Sequence, residues 1–217
     1  MDIVFHCAPQ AIHQCEHARW FAEGLKRHGL SLRIHEDPGE RADLHIVSGP
    51  YYARKNWLRH PRVIAIDRAY YHEEKTGTWR SMDWVSVGWL RPDDGRRFGI
   101  GSGRPSPVCK DRKSEGGTIF LADYDGPIEG ADTVRLHPSK EKPKEPLVDV
   151  LSRHRVAIGY RTTALVTAAL EGLEVVCKDN RNIMSEPNWL ELLPYADWHN
   201  TEISAGETWE HLIEFLD

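Results

Sequence analysis

The stretch from Arg155 to Asp179, RVAIGYRTTALVTAALEGLEVVCKD, most limits what this chain can fold into. Two short runs that contain β-branched residues, Val156–Gly159 and Glu174–Cys177, flank a segment rich in Ala and Leu, which favour helix. Gly172 is placed to end that helix. The pattern predicts a strand, a crossover helix and a second parallel strand, which together form the right-handed βαβ unit of an open α/β sheet.

The predicted loop before this helix, Gly159 to Thr163, combines groups that suit a phosphate. It lies at the carboxyl end of a strand, where α/β sheets bind their ligands. It provides N–H groups at a helix start, the hydroxyls of Thr162 and Thr163, and the guanidinium of Arg161. A phosphate loop and an ordinary crossover with a capped helix both fit these residues, because such loops have no strict sequence pattern.

Composition is typical of a globular chain. The 217 residues suit one large or two small domains, with 40% hydrophobic and 28% charged residues. No run reaches the ~20 apolar residues of a membrane span, and the start, MDIVFHC, lacks the basic segment of a signal peptide. The four cysteines lack CxxC spacing and fit reduced thiols. We therefore expect a cytoplasmic protein with no membrane partner.

Alternating strands and helices run from Asp2 to Ile100 and restart at Thr118. The segment between them, Gly101 to Gly117, is rich in Gly, Pro and Ser and shows no periodicity, which is typical of a linker. We expect an α/β fold with two small Rossmann-like domains, over residues 1–105 and 106–217. Two such domains would face a cleft, where ligands commonly bind.

The second half carries a family resemblance. The run RLHPS, which begins at Arg135, and the later GYRTTALVTAALEGLEVV resemble the donor-binding half of GT-B glycosyltransferases. The nearest are capsule-polysaccharide and polyol-phosphate transferases, with their R-x-H-P strand end and S/T-S/T…EAL-x-x-G-x-P-V-V segment. The tail from Trp189 to Leu212 resembles the LAY-x-QW…EI-x-x-G ending of Kdo-transferase-like and phage-encoded glycosyltransferases.

The resemblance implies a GT-B-like, nucleotide-sugar-dependent glycosyltransferase. The N-terminal domain would bind the acceptor and the C-terminal domain the donor. The donor is expected to be a UDP-linked co-substrate, with no resident cofactor or metal. Thr167 stands where many members carry a ribose-binding Glu, and Glu174 where they carry Pro, so these residues do not themselves decide the nucleotide, and the sugar is not predicted. The donor-binding residues would be Arg135, His137, Ser139, Lys140, Tyr160, Arg161, Thr162, Thr163 and Thr167.

Inverting transfer needs a general base that takes the proton of the acceptor hydroxyl. Asp67, at the end of the predicted strand RVIAID, is the first candidate, and His6, at the end of the first predicted strand, is the second. Asp67 could instead cap a turn or pair with Arg68. A single histidine such as His6 is more often a hydrogen-bonded structural residue. The sequence does not distinguish inversion from retention.

The run Tyr51 to Arg62, YYARKNWLRHPR, interleaves aromatic and basic residues and is expected to begin as a short helix. Such a mixture suits a phosphate backbone and an extruded or single-stranded base, although a solvated basic surface also fits. The pattern DRAYYHEE…WVSVGWLRPDDGRRF resembles phage proteins, among which small glycosyltransferases modify DNA. The expected acceptor is therefore 5-hydroxymethylpyrimidine in DNA, in the host cytoplasm for a phage protein, with a saccharide as the alternative. The acceptor residues would be Tyr51, Arg54, Lys55, Arg68, Tyr70 and Tyr71. A second basic group comprises Arg91, Arg96, Arg97, Arg104, Lys110, Arg112 and Lys113.

Two other patterns do not support a metal or dinucleotide site. The run Phe98 to Gly103, FGIGSG, leads into the linker instead of joining a strand to a helix, as a dinucleotide fingerprint requires. A non-catalytic module that binds a nucleotide sugar or DNA, and a sugar-nucleotide epimerase, are the other functions that this fold allows. The oligomeric state is not predicted. The first loop is crowded with potential metal ligands, whose spacing matches no familiar zinc pattern: His6, Cys7, His13, Cys15 and His17.

Overall fold

The computed structural model shows a mixed α/β chain that divides into two compact units. The first unit comprises Met1–Pro105 with Glu191–Asp217, and the second comprises Ser106–Leu190. The structure describes residues 1–8, 10–36, 40–48, 60–69, 83–90, 97–101, 108–122, 130–138, 140–160, 162–180 and 182–214.

The described helices and strands follow one another in an α/β order. The strands are β1 (Ile3–His6), β2 (Leu32–His35), β3 (Leu44–Ser48), β4 (Val63–Arg68), β5 (Trp84–Leu90), β6 (Arg97–Gly99), β7 (Gly117–Leu121), β8 (Thr133–Arg135), β9 (His154–Gly159), β10 (Glu174–Cys177) and β11 (Asp197–His199). The α-helices are α1 (Ile12–Arg27), α2 (Leu147–Leu151), α3 (Ala164–Leu170), α4 (Trp189–Leu192), α5 (Asn200–Ala205) and α6 (Glu207–Ile213). Two single 3₁₀ turns cover Ile183–Ser185 and Leu193–Tyr195.

Each unit is built on one sheet. In the first, the strand order is β11-β5-β4-β3-β1-β2, with β6 also paired to β5. Strands β2, β1, β3 and β4 run parallel to one another, whereas β5 is antiparallel to each of its partners, β4, β6 and β11. The second sheet, in the order β10-β9-β7-β8, is parallel throughout.

The two sheets have the same order of parallel strands. Numbered within its own unit, each has four parallel strands in the order second, first, third, fourth. The chain therefore reverses its direction of travel across the sheet between β1 and β3 in the first unit, and between β7 and β9 in the second. In doubly wound sheets, ligands bind outside the carboxyl ends of the strands at such a switch point.

Helix α1 forms because its apolar residues recur at helical spacing and so share one side. Ala18, Phe21 and Leu25 on that side are buried. Gly29, at φ 72°, follows the helix, and the N–H of Leu30 donates to the Leu25 carbonyl, which ends the helix. The buried side packs on alternate residues of the first sheet, including Ile3, Phe5, Leu44, Ile46, Ile64 and Ile66.

The C-terminal segment completes the first unit. Ile203 of α5 and Trp209 and Leu212 of α6 join the core beneath α1, and β11 adds to the edge of β5. The sequence predicts a second domain over residues 106–217, whereas the structure places residues 191–217 with the first unit. The physical reason is that the apolar sides of α5 and α6 are buried against α1.

A close backbone contact between α1 and α5 holds the C-terminal segment against the first sheet's helix. Gly24 of α1 lies so near α5 that a Cβ at this position would overlap the carbonyl oxygen of Ile203. One turn later, His28 Nε2 is 3.0 Å from the carbonyl oxygen of Gly206, and Arg27 Nε donates to the Ser204 carbonyl at 2.9 Å. Gly206 itself has φ 89°, which lets the chain turn from α5 into α6.

We expect Gly24→Ala to destabilise the protein by about 1–3 kcal/mol, because the added methyl group overpacks the contact between α1 and α5. In an exposed helix the same change would stabilise by up to about 1 kcal/mol, so the direction of the effect is diagnostic. Urea unfolding followed by circular dichroism measures it. Arg19→Ala, on the exposed side of the same helix, is the matched control and should change stability little. A Gly24→Ala variant as stable as the wild type would contradict the close contact.

Candidate functional site

The switch point of the second unit lies at the carboxyl ends of β7 and β9. Gly159, the last residue of β9, is in register with Leu121, the last residue of β7. A Cβ on Gly159 would lie 2.9 Å from the Leu121 carbonyl oxygen and 3.3 Å from Thr162 Cγ2. Only glycine therefore lets the loop that follows β9 turn this close to the neighbouring strand.

Strand β10 holds the same loop from its other side. The N–H of Lys178 donates to the Gly159 carbonyl at 2.7 Å. The thiol of Cys177 donates to the Tyr160 carbonyl at 2.9 Å and approaches the Asp179 carbonyl at 3.5 Å. Burial raises the pKa of the Cys177 thiol to about 11, so this group keeps its proton and acts as a donor at neutral pH.

The hydroxyl-bearing residues predicted for the donor follow this loop. Thr162 Oγ1 accepts a hydrogen bond from the Ala164 N–H at 3.3 Å, while the side chain of Thr163 makes no cap to α3. Thr162, Thr163 and Thr167 are half-buried. The ring of Tyr160 packs edge-on against Phe120, with centroids 6.1 Å apart, so part of this side chain serves the core. Arg161 lies outside the described residues.

The basic residues predicted for the donor lie at the carboxyl end of β8 and just beyond it. Arg135 Nη2 donates to the Glu145 carbonyl at 3.0 Å. Glu145 is bonded in turn to Arg153 at 2.7 Å, which lowers the pKa of the Glu145 carboxyl. The N–H of Lys140 donates to the His137 carbonyl at 2.8 Å and closes a turn. Ser139 lies outside the described residues.

The described donor residues thus lie at or just beyond the carboxyl ends of β8 and β9, two strands of one sheet. Strand β8 pairs with β7, and β7 pairs with β9, so the basic and the hydroxyl-bearing groups are separated by a single strand. Both groups therefore lie at the carboxyl edge of the sheet, the edge at which parallel sheets bind ligands. The roles of these residues stay predictions.

The switch point of the first unit contains a buried pair that sequence reasoning missed. His17 Nδ1 of α1 lies 3.0 Å from Ser48 Oγ at the carboxyl end of β3, and both residues are buried. Burial, and next the nearby His13, lower the pKa of His17 to about 4. Gln14 Oε1 accepts a hydrogen bond from the Ala8 N–H at 2.9 Å. One signal was present: Gln14 and His17 share the buried helix side of Ala18 and Phe21.

The two predicted catalytic residues lie on the other face of the first sheet. His6 ends β1, is 0% exposed, and its Nε2 lies 3.0 Å from Nδ1 of His45. Burial, and next His60, lower the pKa of His45 to about 4. This setting favours a structural role for His6. Asp67 is half-buried near the carboxyl end of β4, and its role as the base stays a prediction.

The predicted DNA-binding residues are mostly outside the described part of the chain. This holds for Tyr51, Arg54, Lys55, Tyr70 and Tyr71, and for the helix expected over residues 51–59. Arg68 is the last residue of β4.

The structure describes the side chains of three members of the second basic group, and each of them is hydrogen-bonded or ion-paired. Lys110 Nζ lies 2.6 Å from a carboxylate oxygen of Glu171, and Arg112 Nη2 lies 2.8 Å from one of Glu174. Lys113 Nζ donates to the Leu151 carbonyl at 2.8 Å. This end of the predicted linker is therefore ordered against the second sheet, and its charges are largely balanced.

The structure gives no metal site or membrane helix within the residues it describes. No group of three or more His, Cys, Asp or Glu side chains among them is arranged to hold a metal ion. None of the described helices is both long and apolar enough to cross a membrane.

No protein-family model, curated protein or solved structure matches this chain.

We expect Gly159→Ala to weaken the binding of UDP by tenfold or more, because the methyl group displaces the loop between β9 and α3 from the Leu121 carbonyl. Isothermal titration calorimetry measures the affinity. Gly130→Ala in the same unit is the control for a general loss of stability: its φ of 70° strains an alanine, but a Cβ there meets no atom within 4 Å. Equal UDP affinity in wild type and Gly159→Ala would contradict a ligand site at this loop.

We expect acid to destabilise the fold through the buried histidines. The folded-state pKa values of His17 and His45, about 4, lie below the unfolded value of about 6.5. The unfolded chain therefore binds more protons between these values, so stability is complete above pH 6.5 and is lost as the pH falls toward 4. For His17 the loss between pH 7 and pH 5 is about 2 kcal/mol.

Urea unfolding at pH 7, 6 and 5 measures this loss. His17→Gln should have a shallower dependence on pH, whereas the exposed His13→Gln, which removes only the smaller cause of the lowered pKa of His17, should keep most of the dependence of the wild type. A free energy of unfolding that is constant across this range would contradict a neutral, buried His17.

Proposed function

We propose that this chain is a glycosyltransferase that moves a sugar from a nucleotide-sugar donor to a hydroxyl group. One observation carries the proposal: the switch point of the second sheet combines a glycine-tight loop with hydroxyl groups and a basic strand end. The sequence resemblance to GT-B glycosyltransferases falls on the same residues. We further propose that the two units face each other across a cleft, as in that family.

The donor chemistry fits the second unit. When the sugar leaves a nucleotide sugar, negative charge develops on the diphosphate and must be stabilised by fixed donors. Arg135, His137 and Lys140 provide cationic or N–H groups on one side, and Thr162 and Thr163 provide hydroxyls on the other. The bond from Arg135 to the Glu145 carbonyl uses one of the five N–H groups of a guanidinium, so the same side chain can also bind a phosphate.

The acceptor chemistry is assigned to the first unit. Asp67 is the proposed base, because its carboxylate lies near the carboxyl end of a parallel strand and is half-buried. The proposed acceptor is 5-hydroxymethylpyrimidine in DNA. The described part of the second basic group is bonded to carboxylates and to a carbonyl, so contacts to DNA are proposed for the run from Tyr51 to Arg62.

The test is mass spectrometry of nucleosides from DNA that contains 5-hydroxymethylcytosine or 5-hydroxymethyluracil, after incubation with the protein and a panel of nucleotide sugars. We expect a mass gain of one sugar residue on one base. Asp67→Asn should retain donor affinity and lose transfer by about a hundredfold or more, the usual scale for a general base.

A matched set of saccharide acceptors completes the experiment. Transfer to a saccharide alone would keep the reaction and replace the acceptor. Nucleotide-sugar binding without any transfer or donor hydrolysis would indicate a non-catalytic binding module, and turnover of the donor without an acceptor would indicate an epimerase or hydrolase. Absence of nucleotide binding would contradict the proposal.

A further inference from the structure

Three polar side chains form one row across the first sheet. Asp67 of β4 and Asp197 of β11 are both direct register partners of Ser86, on opposite sides of β5. Register partners share a face of the sheet, with neighbouring Cβ atoms about 5 Å apart. Val85 and Val87, which alternate with Ser86, belong to the core beneath α1. The row therefore lies on the face opposite α1, with two carboxylates flanking one serine.

The hydroxyl of Ser86 is the unusual member of this row. Ser86 is 1% exposed, and within the described part of the chain its Oγ has no hydrogen-bond partner. Neither flanking carboxylate accepts its proton. A buried hydroxyl without a partner destabilises a fold, and alanine would remove that cost. The row therefore has the form of a polar site that a bound molecule would complete.

An aromatic pair borders the row. Trp84 and His199 are register partners. They lie two residues along their strands from Ser86 and Asp197, and therefore on the same face, since alternate strand residues share a face. Their rings meet edge to face with centroids 5.0 Å apart, and both residues are half-buried. His199 Nδ1 is hydrogen-bonded to Thr201 Oγ1 at 2.7 Å, which holds its ring in place. A fixed and partly accessible aromatic surface suits a flat ring.

We infer that Asp67, Ser86 and Asp197, with Trp84 beside them, form the acceptor site, and that the site takes a pyrimidine ring carrying a hydroxymethyl group. This inference rests on the proposed glycosyltransferase function. Trp84 stacks on the ring. Asp197 accepts a hydrogen bond from a ring or amino N–H, a pairing that carboxylates make with the amino group of cytosine. Ser86 provides its hydroxyl to a polar atom of the same ring.

The reaction at this site balances in one displacement. Asp67 takes the proton of the hydroxymethyl group as that oxygen forms a bond to the anomeric carbon of the sugar. The bond from this carbon to the donor phosphate breaks, and its electron pair leaves with the nucleoside diphosphate. Protonated Asp67 then returns its proton to water.

Asp197 is the new assignment, because it lies 130 positions after Asp67 in the chain and joins the row only through the pairing of β11 with β5. At two strand spacings, the Cβ atoms of the two aspartates are about 10 Å apart. The two aspartates therefore flank Ser86 on one face of the sheet. Asp197 is 3% exposed, so its carboxylate is held in the site and does not sample solvent freely.

The test compares Ser86→Ala and Asp197→Asn in the full chain. The acceptor is a single-stranded oligonucleotide with one 5-hydroxymethylcytosine, and the donor is the nucleotide sugar that the wild type uses. We expect both variants to raise the acceptor KM about tenfold while the donor KM changes less than threefold. Ser86→Ala should at the same time keep its Tm or raise it by up to about 4 °C, because it removes a buried hydroxyl without a partner.

The control variant is Asp83→Asn. Asp83 is exposed at the same corner of the sheet and accepts a hydrogen bond from Asn200 Nδ2 at 2.9 Å, outside the row. It should keep the acceptor KM within twofold of the wild-type value. If Asp197→Asn does not fold, Ser86→Ala decides the question, because its predicted gain or retention of stability separates loss of binding from loss of fold.

Three outcomes overturn the inference. A Ser86→Ala variant with lower Tm and unchanged acceptor KM would make the row structural. Transfer to saccharides but not to the oligonucleotide would refute the pyrimidine acceptor while leaving the glycosyltransferase in place. If the wild type neither transfers a sugar nor hydrolyses a donor, the proposed function fails and the inference fails with it.

Discussion

The contact between α1 and the C-terminal helices is the constraint on which the first unit depends. Gly24 meets the Ile203 carbonyl so closely that no side chain fits between the two helices. Because α1 also connects β1 to β2, this contact ties the end of the chain to its beginning. The apolar residues of α5 and α6 would otherwise be exposed to water, which disfavours any arrangement without the contact.

Closure by the C-terminal segment has a second effect at the far edge of the sheet. The chain enters α5 directly from β11, and β11 pairs with β5, where Trp198 joins the core beneath α1. Strand residues alternate between faces, so the neighbours of Trp198 lie on the other face. Asp197 is thereby placed in line with Ser86 and Asp67. A packing interaction of apolar residues thus positions a polar row across the sheet.

Two pairs of buried polar side chains inside the first unit are joined by hydrogen bonds. His17 is bonded to Ser48 on the α1 side of the sheet, and His6 is bonded to His45 on the opposite side. His17 and His45 remain neutral at neutral pH because desolvation disfavours their charged form, so they act there as hydrogen-bonded structural groups. The energetic consequence is a fold whose interior resists protonation and is weakened by acid.

Local pattern predicted the second unit well. The βαβ unit around Gly159 appears as β9, α3 and β10, and Gly172 ends the helix with a φ of 82°. These features depend on near neighbours in sequence: helix propensity, β-branching and the conformational freedom of glycine. The same unit also contains a helix of only five residues, α2 (Leu147–Leu151). Propensity alone does not set a helix end.

Long-range packing was predicted poorly. The sequence pattern places the residues of α5 and β11 in a tail motif of the second domain, although they belong to the first unit. Nothing in the local pattern of Asp197 shows that it will pair across from Ser86, since register depends on the partner strand. The His17–Ser48 pair was likewise hidden, because each residue alone is an ordinary polar position.

The sequence by itself determined the α/β class, the strands on either side of α3 and the loop that follows Gly159, because these follow from propensity, periodicity and the special backbone freedom of glycine. Only the tertiary structure decided to which unit the C-terminal segment belongs and which polar residues lie next to each other. Those outcomes depend on burying apolar surface between elements far apart in the chain, as with Trp209 beneath α1. Such burial is a property of the whole packing arrangement and leaves no local signature in the sequence.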